Sequence, residues 1–294
     1  MNPLEVYALA IGANLTFSTA SMVFSIYARR FAPMWINQVK VSVAFLAFLA
    51  AMFITQKIVP IPPIVFCILL LSGFVGLCLG DIFLFRAYAT LGAGRSLVLF
   101  SFQPLLLGIY GYFFLGQIFT MNQTFSVACM VACICIFMFE RNRTTGSWDA
   151  KSFFWAFLGI ALDAFGVMFT RSAYEFSPGL ETFQVNVIRC MGALLGYLLL
   201  SPRSYSIVWK DLKILPKNEV WIIVIASIGG CFVSLTLYLA ALKYAHVGTL
   251  TAISITGPVW VAILESLYHK RMPNKYLLLA FGFFLAGFYL MVMA

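Results

Sequence analysis

Apolar residues run along the chain in long stretches, at about 4–27, 34–55, 63–88, 96–116, 121–139, 152–173, 181–200, 219–243, 248–268 and 275–293. Each is closed off by charge, proline or turn-forming residues. A helix needs about 20 apolar residues to cross the hydrocarbon of a bilayer, so the pattern predicts ten transmembrane helices. Runs such as Val41–Phe53 and Leu277–Met293 show no alternation of polar with apolar positions, which excludes the strands of a membrane β-barrel. Helices are the other way to satisfy a backbone in lipid. The expected class is therefore an all-α integral membrane protein. The N-terminus carries Glu5 and no Lys or Arg ahead of the first stretch, so it lacks the positive start of a signal peptide and reads as a retained first span.

Composition sharpens this. Of 294 residues, 63% are apolar and 10% charged, against roughly 45–50% and about 25% in a soluble domain. A water-soluble globular protein is excluded, and the spans leave no room for a separate soluble catalytic domain. The 19 Lys and Arg outnumber 10 Asp and Glu for a net charge of +9. They punctuate the apolar runs instead of forming one basic face, so nucleic acid is not an expected partner. Arg29, Arg30, Arg95, Arg141, Arg143, Lys151, Arg203, Lys210, Lys213, Lys217, Lys270, Arg271 and Lys275 belong to the odd-numbered connections, and only Lys57, Arg171 and Lys243 to the opposite face. Lys and Arg in short loops resist translocation. That bias predicts cytoplasmic odd connections and both termini outside, in a multi-pass protein of the cell (inner) membrane.

The longest connection, Ser201–Asn218, mixes Ile207, Trp209 and Leu212 with four cations and is expected to lie at the headgroups. All seven cysteines fall inside apolar runs. Cys129 and Cys133 share a helix face with no His or carboxylate beside them, so packing is expected in place of metal or disulfide chemistry.

The two halves overlay. Phe31-Ala32-Pro33 matches Phe176-Ser177-Pro178, and Gln38-Val39-Lys40-Val41 matches Gln184-Val185-Asn186-Val187 one residue out of step. Ala87, Gly94, Pro104 and Ala128/Ala132 then match Ala241, Gly248, Pro258 and Gly282/Ala286 at one constant offset. Five spans per copy force the second copy to insert upside down, the inverted-repeat construction of secondary transporters.

The stretch FRAYATLGAGRSLVLFSFQPLLLGIYGYFFLGQ from Phe85 to Gln117, with its partner LAALKYAHVGTLTAISITGPVWVAILESLYHKR from Leu239 to Arg271, resembles the fourth helices of the drug/metabolite transporter superfamily. In both, small residues open the helix and a proline sits at mid-helix. Gly/Ala-spaced fifth helices follow at Ala128–Cys133 and Gly282–Gly287. The chain is similar throughout to the ten-span EamA-like members. The resemblance implies two five-span EamA-like repeats, 1–140 and 152–294. Two features depart from it. Gln117 and Arg271 stand where the family carries a Glu late in the fourth helix, with Glu265 more than a turn earlier, so no role transfers from that Glu. The family is also drawn with cytoplasmic termini, opposite to the charge count.

Ionisable groups within spans are expensive, about 2.5–3.5 kcal/mol each on insertion scales. Asp163 and Arg189 fall at similar depth in spans 6 and 7, and two readings stay open: a structural salt bridge, or a substrate or proton site at the midplane. Lys40, Asp81, Arg86, Arg95 and Glu265 lie toward the cation-rich side. Arg86 and Arg95 either snorkel to headgroups or form, with Lys40, a cationic vestibule; Asp81, behind Gly73, Gly76 and Gly80, is expected to pair with Lys40 or Arg95. Pro104 and Pro258 each free a backbone carbonyl and are candidate hinges. Around them Asn14, Ser18, Gln38, Gln103, Gln184, Asn186, Thr236, Ser254 and Thr256 are expected to supply polar lining, and Tyr238 and Trp260 aromatic walls.

His246 and His269 sit at opposite membrane faces, and no nucleophile–base pair shares a depth, so an intramembrane hydrolase is not expected. No Gly-rich phosphate loop is present, which argues against ATP coupling, and no metal or other cofactor is expected. The reading is a secondary active transporter, exporter or importer, of a small polar or amphipathic metabolite by alternating access. Its partners would be that solute, membrane lipid and protons. The alternative is a non-transporting membrane scaffold or lipid-flippase subunit.

Overall fold

The computed structural model describes residues 3–100, 103, 106, 121–145, 150–244, 256–269 and 275–292. The elements are helices, with no strand among the described residues. In chain order they are α1 (Pro3–Tyr27), α2 (Pro33–Thr55), α3 (Pro63–Leu91), α4 (Ala93–Phe100), α5 (Met121–Thr145), α6 (Ala150–Phe176), α7 (Thr182–Leu200), α8 (Ser204–Ile214), α9 (Lys217–Lys243), α10 (Thr256–His269) and α11 (Lys275–Val292). Six of these, α1, α2, α3, α6, α7 and α9, are long and apolar enough to cross a membrane. The expected spans at 121–139, 248–268 and 275–293 overlap the described helices α5, α10 and α11, and that at 96–116 lies largely outside the described residues. Pro104, one of the two candidate hinges, is outside them as well, as is Ser254.

Local chemistry sets the helix ends. α2 and α3 open on Pro33 and Pro63, where the missing N–H is not needed and φ is already helical. α2 stops at Gln56 in the left-handed region, and α3 stops at Gly92 with φ 84°, a value that glycine adopts without a Cβ clash. The connection Ser201–Asn218, expected at the headgroups, folds as the short helix α8, with Trp209 and Ile214 exposed. Large apolar side chains such as Leu46, Phe53, Ile54, Ile64 and Leu199 point outward from the spanning helices, as a solvent of lipid tails permits.

The helix ends meet as alternation up and down requires. Arg30, after α1, pairs with Glu219 at the start of α9 at 3.0 Å, and Arg143 of α5 donates to the Tyr276 hydroxyl of α11 at 3.5 Å. At the other end, Gln184 of α7 accepts from the Val59 N–H at 3.1 Å and donates to its carbonyl at 2.8 Å. There, too, Lys243 donates to the Leu180 carbonyl at 2.8 Å.

Two spans are wound irregularly, at matching places. α3 passes through a π-helical segment at Gly73–Gly80 and α9 through another at Ile228–Val233. The offset that sets Ala87 on Ala241 also sets Gly76 on Gly230. Each π segment packs on the first helix of the other half. Gly76 faces Gly166 of α6 so closely that a Cβ on Gly166 would lie 2.8 Å from the Gly76 Cα, and Gly230 faces Ala20 of α1 just as tightly. Gly166 and Ala20 fall within one residue of each other when the first helices of the halves are overlaid, so the two contacts correspond. π turns mark places where a helix has taken up an extra residue, and they occur often at functional sites.

Candidate functional site

A cavity of about 130 Å³ lies between the halves. α1 contributes Ala13, Asn14, Phe17 and Ser18; α2 and α3 contribute Lys40, Leu77 and Asp81; Leu97, Phe100 and Gln103 follow. From the second half come Asp163, Val167, Met168 and Arg171 of α6, Arg189 of α7, Gly230, Cys231, Ser234, Leu235, Tyr238 and Leu242 of α9, and Gly257 and Pro258 of α10. Arg171 and Leu242 stand near the ends of α6 and α9 that bear the even-numbered connections, whereas Lys40 and Asp81 stand toward the cation-rich face. The cavity thus extends from mid-helix toward the even-connection side. On the cation-rich side the chain is packed shut by Phe24, Tyr27, Trp35, Ile36, Phe85 and Tyr88, all buried, with the Tyr88 hydroxyl donating to Ser21 Oγ at 2.9 Å.

The charged groups differ in their partners. Lys40 Nζ lies 2.5 Å from Asp81 Oδ2, with Nζ also 5.0 Å from the centre of the Phe85 ring. Gln103 Nε2 donates to Asp163 Oδ2 at 2.6 Å. Arg189 Nε donates to Ser72 Oγ at 3.1 Å. Ser72 in turn donates to the Gly166 carbonyl at 2.6 Å and lies 2.7 Å from Thr170 Oγ1. Asp163 and Arg189, read from sequence as one salt bridge or one site, therefore line the same cavity without forming an ion pair. The reason is geometric: Gln103 reaches Asp163 from the fourth helix, while Ser72 captures Arg189 at the start of the π segment.

The other expected residues divide. Asn14, Ser18, Tyr238 and Pro258 line the cavity; the Asn14 amide also donates to the Ala10 carbonyl at 3.1 Å. Gln38, Gln184, Asn186 and Thr236 do not line it. Gln184 is taken up by Val59, and Thr236 by the Phe232 carbonyl at 2.7 Å. Trp260 stands outside as well, donating to Thr19 Oγ1 at 2.9 Å. Only the backbone of Thr256 is described. Arg95 is not part of a vestibule with Lys40: it makes a two-pronged contact with the buried Glu140, at 2.9 and 2.6 Å. Arg86 is exposed and lies over Phe83 and Trp155 at 5.4 and 5.1 Å from the ring centres.

Ser72, Thr170 and Arg171 were not anticipated as part of this arrangement. Thr170 follows Asp163 by seven residues, two helical turns, and so shares its face; that spacing was the available signal. The repeat also explains why the polar groups are one-sided. Gln103 overlays Gly257, and by the offset that sets Phe31 on Phe176 Asp163 overlays Ser18; Gly257 likewise sits against Ser18 Oγ, but with no charge.

A model of the EamA-like transporter family matches residues 4–139 and 150–293. The chain belongs to the EamA-like transporter family. This EamA-like protein is accordingly a multi-pass membrane transporter of small molecules, built from two repeats. Among solved structures it is similar to one titled only "Crystal structure of protein", at 16% identity, with a TM-score of 0.64 and coverage of 97% of this chain and 95% of that one. At that identity the likeness is one of fold. No curated protein matches this EamA-like chain.

Proposed function

We propose that the protein is a secondary active transporter that moves a small polar or amphipathic metabolite by alternating access. Its ten spans form two inverted five-span repeats, about 1–140 and 152–294, which rock about the central cavity. One observation carries the reading: buried charged and amide side chains from both repeats converge on a cavity between them, at the depth where such transporters hold solute. Ionisable groups inside a membrane need partners or a task, and here they surround open space. The reciprocal π segments support the rocking motion, because each lies where one repeat's third helix bears on the other repeat's first. Pro258, and Pro104 in the other repeat, are further candidate hinges, each freeing one carbonyl.

Asp163 is the group proposed to carry a coupling proton. Its hydrogen-bond partner is one neutral amide and the charges of Arg189 and Lys40 act on it only from a distance, so a proton on it breaks no direct ion pair, unlike Asp81 beside Lys40. In the proposed orientation the odd connections face the cytoplasm of a cell (inner) membrane, and the cavity is open to the outside.

Transport by the purified full chain in proteoliposomes tests this. Efflux of a preloaded metabolite mixture, followed by mass spectrometry, is expected to be selective in the wild type and lost in Asp163→Asn and Arg189→Ala proteins that fold normally. Unchanged fluxes in both variants would remove these residues from the site. No selective flux in the wild type would remove the transport reading.

A further inference from the structure

We propose that Arg189 is the anion-recognising residue of the cavity, so that the solute carries a carboxylate or comparable oxyanion on a partly apolar body; this rests on the transport reading above. Five charged side chains line the space, and their partners differ. Lys40 is held by Asp81. Arg171 donates to the Leu242 carbonyl at 2.8 Å and to Glu175 at 3.2 Å. Asp163 accepts from Gln103. Arg189 has no ion pair with any described carboxylate. It is 2% exposed, its Nε is occupied by a neutral hydroxyl, and its Nη1 is buried without a partner.

A buried cation with an unmade hydrogen bond is costly when carboxylates, here Asp163 and Asp81, offset its charge only from a distance, so a ligand oxygen that supplies both charge and acceptor in direct contact binds with a gain. The guanidinium suits this role because it stays charged and offers its N–H groups as a planar fork matched to an oxyanion. It is also preorganised at both ends. Ser72, itself tied to Gly166 and Thr170, fixes the Nε side. The backbone is fixed by α3, since a Cβ on Gly73 would collide with the Arg189 carbonyl. A side chain anchored along one edge with its other edge unpaired is the arrangement that first-contact recognition needs. Ser18 Oγ, also buried and unpartnered, lines the same cavity and is the second polar position for the solute. Phe17, Phe100 and Leu235 cover the rest with apolar surface.

The test uses matched probes that differ in the anionic group, added to the purified full chain in detergent and read as a rise in melting temperature. The pairs are benzoate and benzamide, hexanoate and hexanamide, and phenyl phosphate and phenol. In at least one pair the anion is expected to bind about tenfold or more tightly than its neutral partner, the size of effect expected for a hydrogen bond to a charged group. Arg189→Gln should abolish that preference and Arg189→Lys should keep part of it. The assignment is overturned by equal stabilisation within every pair, by no stabilisation from any member, or by an unchanged preference in a folded Arg189→Gln protein. Where the Gln variant does not fold, a full, unreduced preference in Arg189→Lys overturns the assignment, as equal stabilisation within every wild-type pair does. Selective flux of neutral solutes in proteoliposomes, with no anion preference in binding, would leave the transport reading intact and remove the role of Arg189 alone.

Discussion

Lys40 Nζ and Asp81 Oδ2 lie 2.5 Å apart with both side chains buried, and the pair stands between the cavity and its packed, cation-rich end. Breaking a buried pair by removing one partner strands a charge and costs about 3–5 kcal/mol, whereas removing both leaves none. Lys40→Met and Asp81→Leu should each lower the melting temperature of the detergent-solubilised protein sharply, and the double variant should regain most of the loss. Additive losses in the double variant would mean the two do not act as a pair.

Substitution at Gly73 should be far more damaging than at Gly282. A Cβ at Gly73 would meet the carbonyl of Arg189, while one at Gly282 meets nothing within 4 Å. Gly73→Ala is therefore expected to reduce the yield of monodisperse protein severely. Gly282→Ala should be neutral or stabilise by up to about 1 kcal/mol through helix propensity. Size-exclusion profiles and thermal unfolding of the two variants side by side make the check; a tolerated Gly73→Ala would contradict the close packing of α3 on α7.

The Gln103–Asp163 bond predicts a coupling that can be measured. Gln103→Leu leaves the Asp163 carboxylate without its donor, at a cost of about 1–3 kcal/mol. In an Asp163→Leu background the same change should cost much less. A double-mutant cycle on melting temperature, converted through unfolding in denaturant, is expected to give a coupling of about 1 kcal/mol or more. A coupling near zero would show that the bond contributes nothing to folding.

The proposed sidedness, read from the charges of the connections, can be tested by labelling. In a background with all seven cysteines replaced by serine or alanine, Lys57→Cys is expected to react with a membrane-impermeant maleimide from outside intact cells. Lys210→Cys should react only after the membrane is opened. The reverse pattern would place the termini in the cytoplasm and overturn the charge count, and with it the outward-open assignment of the cavity.

Much of the architecture is legible without coordinates because membrane insertion is decided locally. Each stretch of about 20 apolar residues must be a helix, since no other unclosed backbone can sit in lipid. Overlaying Ala87 on Ala241 and Gln38 on Gln184 likewise exposed the duplication. The site was legible only as a set of suspicious residues. Asp163 and Arg189 stood out by their cost in lipid, but sequence depth could not tell that Gln103 and Ser72 reach them first. Gln184 looked like cavity lining until the Val59 backbone claimed it, and Arg95 looked like vestibule until Glu140 did.

Local hydrophobicity, acting residue by residue, thus determined by itself that the chain is a helical membrane protein and where its long helices run, and the matched small, proline and amide positions determined that its halves repeat. The choice of partner for each polar side chain is a different kind of quantity. It depends on the rotation of each helix about its axis and on contacts across as many as 241 positions of sequence, as between Thr19 and Trp260. Only the packed structure decided that Lys40 is neutralised by Asp81, that the π segments bear on the opposite halves, and that Arg189 keeps a donor buried without a partner beside the cavity.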